Sequence, residues 1–230
     1  MTSLPEIRLP QSLAVATALA LGLWADIHTR LPGQIAIGVL TWGLLMALIA
    51  PLPSPQRRLF IACVAIATAG ELFLSLGWGL YTYRLGNVPM FVPPGHALML
   101  MLGIALAARM PEAAAGVVLG AAGAYALAAA AVGFDTLGVP LALVLAVAVL
   151  ALPSHRRLFA STFVLCLALE LYGTTLGNWS WHGDVPWVGL VTTNPPGVAG
   201  AFYAALDALV FAALAALVAP GRRSPVLARA

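Results

Sequence analysis

Lysine does not occur in this chain, and acidic and basic residues together make up only 8% of its 230 residues. Soluble domains carry about 25% charged residues, so a soluble globular class is excluded. The net charge of +3 comes from eleven arginines set against eight acidic residues. Arginines flanking membrane spans account for that balance, so no nucleic-acid partner is called for. Cysteine is scarce as well. Cys63 and Cys166 both lie inside apolar runs, where inert buried thiols are the better reading and a disulfide framework is excluded. Four histidines and two cysteines form no metal-ligand spacing. No HExxH, P-loop, nucleophile elbow or dinucleotide-binding glycine motif stands in a usable context. Neither a metal nor any other cofactor is expected.

What the chain has instead is apolar length: 62% of its residues are hydrophobic. A bilayer core needs about 20 apolar residues per helix. The sequence predicts an all-α, polytopic transmembrane helix bundle of about eight spans, near 11–27, 34–52, 59–79, 91–108, 113–133, 137–152, 158–177 and 196–218. With that count, Arg8, Arg57, Arg58, Arg109, Arg156, Arg157, Arg222, Arg223 and Arg229 fall on one face, and Arg30 and Arg84 on the other. Positive charge collects on the cytoplasmic side, so both termini are expected in the cytoplasm.

The chain also duplicates itself. "PSPQRRLF" at 53–60 matches "LPSHRRLF" at 152–159, and Glu71 and Glu170 each lie thirteen residues after the second arginine. "LYTY" (80–83) parallels "NWSW" (178–181), "NVPM" parallels "DVPW", and "PPGHA" (93–97) parallels "PPGVA" (195–199). Recurrence in a fixed order points to internal repeats, here residues 1–110 and 111–230 with four spans each. An even number of spans per half makes the repeats parallel, related by an axis along the membrane normal.

Thirteen helical residues rise about 20 Å, which carries Glu71 and Glu170 past the midplane of a core about 30 Å thick. An intramembrane carboxylate costs at least about 2.5–3.5 kcal/mol unless protonated, paired or wetted. Two at matching positions can face one cavity. The halves differ at His96, whose counterpart is Val198, and at Asp207, whose counterpart is Ala105. Glu71, Glu170, Asp207 and His96 are therefore the candidate acid–base groups. Tyr81, Tyr83, Trp179 and Trp181 stand where an interfacial aromatic belt is expected, or else line the cavity mouth and offer π faces to a cation. Pro94, Gly95, Pro196 and Gly197 mark helix starts whose free N–H groups could face the same space. Asn178 and Asn194 complete the candidate ligand-binding set.

"GLYTYRLGNVP" (79–89) and "GNWSWHGDVP" (177–186), each following an acidic residue in a helix, resemble the tandem membrane lycopene cyclase domains and the related bacterial carotenoid hydratases. The likeness covers about 57–108 and 156–210. In place of the paired carboxylates that follow the proline in those cyclases, this chain has "PPGHA" and "PPGVA". The small integral-membrane terpene cyclases are a looser analogy. The resemblance implies proton-initiated cyclisation, hydration or isomerisation of an isoprenoid or carotenoid-type lipid in the cytoplasmic (inner) membrane of a bacterium. The partners would be a lipophilic small molecule and the bilayer. From the residues alone, a transporter or lipid-binding protein built on parallel repeats, or a subunit whose polar groups only join helices, remains open.

Overall fold

The computed structural model describes residues 4–218; Arg222, Arg223 and Arg229 lie outside the described residues. The described residues form eight α-helices: α1 (Leu9–Ile27), α2 (Leu31–Ile49), α3 (Ser54–Glu71), α4 (Val92–Ala107), α5 (Glu112–Ala131), α6 (Gly138–Ala151), α7 (Arg156–Leu176) and α8 (Gly200–Val218). Five helical runs are long and apolar enough to cross a bilayer: Leu31–Ile49, Ser54–Trp78, Glu112–Ala131, Pro153–Leu176 and Gly200–Leu217. The shorter apolar α4 and α6 have 16 and 14 residues. Large apolar side chains such as Leu40, Val117, Val147 and Leu150 stay exposed on the outside of the bundle. Water would not tolerate that surface, and lipid would. The molecule has the make-up of an integral membrane protein.

Helix starts follow the prolines. Pro10, Pro32, Pro55 and Pro93 stand in the first turns of α1, α2, α3 and α4, where a missing N–H costs nothing. The last helix departs from expectation: α8 begins at Gly200 rather than at residue 196. The N–H of Gly197 is taken by the Asp135 carboxylate at 3.1 Å, which holds residues 195–197 in a loop.

At the centre, α3 packs on α4 and α8, and α7 packs on α4 and α8. Around this set, α1 lies against α2, α4 and α7, while α5 lies against α6 and α7. Glycines allow the closest crossings. A β-carbon at Gly103 of α4 would fall 2.3 Å from the Thr162 methyl of α7, and one at Gly200 would fall 2.6 Å from the Phe163 carbonyl oxygen. Small residues at such crossings are how helices approach each other in an apolar solvent.

Helix α3 does not stop at Glu71 but continues as a π-helical run, Leu72–Trp78. Both this run and α7 end on a left-handed glycine, Gly79 (φ 77°) and Gly177 (φ 85°), a conformation open to glycine without a Cβ penalty. Each releases a three-residue strand, β1 (Tyr81–Tyr83) and β2 (Trp179–Trp181), and the strands pair antiparallel as Tyr81↔Trp181, Thr82↔Ser180 and Tyr83↔Trp179. A second small hairpin joins β3 (Asp184–Val185) to β4 (Leu190–Val191). The all-helical expectation contained no strand. Strands of two or three residues carry no readable alternation, and β1 and β2 lie in opposite halves of the chain.

Candidate functional site

In the β1–β2 ribbon the middle residues Thr82 and Ser180 are exposed, while the four flanking rings are buried. Side chains of a strand alternate between faces, so Tyr81, Tyr83, Trp179 and Trp181 all point into the bundle. They are not a solvent-side belt. Burial, with the Glu71 carboxylate beside them, pushes both phenols well above their ordinary pKa, so they remain O–H donors.

Below the ribbon the rings meet the two glutamates. Tyr81 and Tyr83 donate to Oε2 of Glu71 at 2.8 and 2.7 Å. Oε1 of the same carboxyl meets Nε2 of His96, from the first turn of α4, at 2.8 Å. Trp179 and Trp181 donate through their indole N–H groups to Oε2 of Glu170 at 2.7 and 2.9 Å. Ten residues separate Glu71 from Tyr81, and nine separate Glu170 from Trp179. A π-helical turn takes one residue more than an α-helical turn, so the run after Glu71 absorbs the additional position.

Glu71, Glu170, His96, the four ribbon rings and Gly95 line one cavity of about 220 Å³ together with Phe91, Phe202, Tyr203 and aliphatic side chains of α1, α2, α3 and α8. Apart from the two carboxyls, His96 and a few hydroxyls its wall is apolar. Leu209 of α8, 56% exposed on the flank of the bundle, belongs to the wall as well, so the cavity reaches the apolar outer surface.

Asp207 is not part of this wall. It is buried at 2% exposure, with Thr162 as its polar neighbour and Oδ2 without a partner. Tyr203, one turn earlier on α8, occupies the cavity instead. A helical rise fixes depth but not azimuth, and the depth argument for Asp207 supplied only the first. The helix-start N–H groups are also spoken for: Gly95 donates to the Phe91 carbonyl at 2.9 Å and Gly197 to Asp135. Pro94, Pro196 and Gly197 do not line the cavity. Asn194 accepts the Trp181 backbone N–H at 3.0 Å, and thereby fixes β2.

Asn178 belongs to a separate cluster at the ends of α1 and α2. Its amide donates to the Leu23 carbonyl and to Oδ2 of Asp26, both at 3.0 Å. Asp26, 1% exposed, also accepts from Gln34 at 3.0 Å and pairs with Arg84 at 3.2 Å. Asp135, fully buried, holds the N–H groups of Gly138 and Gly197 and the Thr192 hydroxyl. The sequence reading passed over both aspartates and Tyr203. A signal for the aspartates was present: each stands between two apolar runs, a few residues before a proline that opens the next helix.

No protein-family model, no curated protein and no solved structure matches this chain. The site must be read from its chemistry. It is an apolar cavity that holds two carboxyls, one histidine and a wall of aromatic rings.

Gly70 offers a way to close the cavity without disturbing its polar groups. It lines the wall, and a β-carbon there meets nothing within 4 Å. Gly70→Leu is expected to fill that space with no more than a few degrees' change in thermal midpoint, and to abolish retention of apolar lipid during purification. Mass spectrometry of copurified lipids checks it; unchanged lipid content would show that the cavity is not the binding site.

Proposed function

We propose that this protein is an integral-membrane acid–base enzyme acting on an apolar lipid of the isoprenoid type, by cyclisation, hydration or isomerisation. One observation carries the reading: two buried carboxyls with unlike hydrogen-bond partners face the same apolar cavity. Pairs of titratable groups in unlike surroundings are how one site holds both an acid and a base. Proton transfer to a carbon–carbon double bond creates a carbocation, and the faces of tyrosine and tryptophan attract cations. The flank opening suits a substrate that partitions from the bilayer, and the resemblance of residues 79–89 and 177–186 to carotenoid-acting membrane proteins supplies the substrate class.

Reconstituted in liposomes in heavy water, the protein is expected to convert a linear polyisoprenoid probe, squalene or lycopene, to a product carrying deuterium on carbon. Glu71→Gln is expected to lower that conversion by about two to four orders of magnitude, the range over which general acid–base groups act. Probe that is retained but unchanged would favour the second reading, carriage or storage of lipid, which the flank opening also suits. A probe neither retained nor changed would remove both.

The architecture proposed is eight spans in two parallel repeats with both termini cytoplasmic. Exchanging the halves maps the pair Tyr81↔Trp181 onto Trp179↔Tyr83, which is itself a pair. It also maps Glu71 onto Glu170 and the packing of α3 on α4 onto that of α7 on α8. Reporter fusions in the loops at residues 86 and 184 are expected to be active only outside the cytoplasm; activity inside would reverse the orientation.

A further inference from the structure

We propose that Glu170 is the proton donor of this site and that the Glu71–His96 pair is the acceptor; the assignment rests on the acid–base reading and divides its roles. Indole N–H groups donate and cannot accept. Trp179 and Trp181 both direct theirs at Oε2 of Glu170. A proton on that oxygen would face two N–H groups, so the proton of a neutral Glu170 sits on Oε1. Oε1 has no hydrogen-bond partner, and it is not among the sealed-off polar atoms of the described residues. Since Glu170 lines the cavity, its O–H points into the apolar space. The titratable groups around it are Glu71, His96, Tyr81, Tyr203 and Cys166. Of these, only His96 can carry a positive charge, and its Nε2 is turned to Glu71 rather than to Glu170.

Glu71 is arranged the other way. The two phenols have Oε2 as their only acceptor, so that oxygen carries no proton. Nδ1 of His96 is buried without a partner. In the resting state that this assignment requires, the contact between Nε2 of His96 and Oε1 of Glu71 holds one proton and the pair takes up one more.

The step balances. The π electrons of a double bond take the Oε1 proton of Glu170, which forms a C–H bond and leaves a Glu170 carboxylate and a carbocation. The carbocation loses a proton from a neighbouring carbon to the Glu71–His96 pair, and the electrons of that C–H bond form the new double bond. Transfer of the proton from the pair back to Glu170 restores the starting state, and neither oxidant nor reductant is consumed.

Infrared difference spectra of the purified protein in nanodiscs at neutral pH test the assignment without any substrate. Wild type minus Glu170→Gln is expected to show the C=O stretch of a protonated carboxyl, shifted in heavy water. Wild type minus Glu71→Gln is expected to show the carboxylate stretches instead. Trp181→Phe, which keeps a ring but removes one N–H from Oε2, is expected to shift the protonated-carboxyl stretch. A protonated-carboxyl band that disappears with Glu71→Gln, or one indifferent to both Glu170→Gln and Trp181→Phe, overturns the assignment. That result leaves the acid–base reading intact, because deuterium uptake from heavy water tests the latter separately.

Discussion

Replacing Glu71 by leucine is expected to destabilise the protein by about 3–9 kcal/mol, because three buried partners are orphaned at roughly 1–3 kcal/mol each. The partners are the hydroxyls of Tyr81 and Tyr83 and Nε2 of His96, all within 2.8 Å of the carboxyl. Leucine can accept from none of them, and the residue is only 7% exposed, so water cannot substitute. Glutamine separates this structural role from the chemical one. Its amide oxygen can take both phenols, and its NH₂ can donate to the other tautomer of His96. Glu71→Gln is therefore expected to keep the thermal midpoint within a few degrees of wild type while activity on a polyisoprenoid collapses. Thermal unfolding in detergent micelles, measured on both variants beside the activity assay, decides it. A Glu71→Leu protein as stable as wild type would mean that the ribbon does not depend on the carboxyl.

The second large effect is expected at Asp26, which does not line the cavity. Asp26→Ala removes the acceptor for Gln34, Asn178 and Arg84 together. Gln34 and Asn178, both 1% exposed, each lose a buried acceptor at about 1–3 kcal/mol, and the partly exposed Arg84 loses its counter-charge. Arg84 follows directly on β1, and Asn178 directly precedes β2. The Arg84 N–H donates to the Asn178 carbonyl at 2.9 Å, and its guanidinium also reaches the backbone carbonyls of Asp26 and Thr29. Asp26 thus clamps one end of the ribbon, through both of its strands, to α1. Asp26→Ala is expected to lower the thermal midpoint sharply and to disorder the ribbon, with activity lost through misplaced rings rather than through a missing acid. Hydrogen exchange across residues 81–83 and 179–181 reports that loosening, which Glu71→Gln is not expected to produce. Unchanged exchange and midpoint in Asp26→Ala would remove the clamp from the account.

The sequence by itself determined the solvent. A chain with so few charges and such long apolar runs can satisfy its backbone only as helices in lipid, and the prolines and the two left-handed glycines mark where several of those helices start and where two release their strands. It also singled out Glu71, Glu170, Asp207 and His96 as residues out of place in hydrocarbon, because a buried polar group needs a partner whatever the fold, while the four rings stood where an interfacial belt is expected.

Only the tertiary structure decided who the partners are. The pairing of Tyr81 with Trp181 depends on two segments in opposite halves of the chain meeting above the helices, and nothing local specifies it. Which way Asp207 faces was equally hidden. In a soluble helix an apolar stripe marks the buried side, but lipid is as apolar as the core, so a membrane helix such as α8 carries no such stripe. Depth could be counted along the chain at 1.5 Å per residue; rotation about the axis could not, and it placed Tyr203 in the cavity and Asp207 outside it.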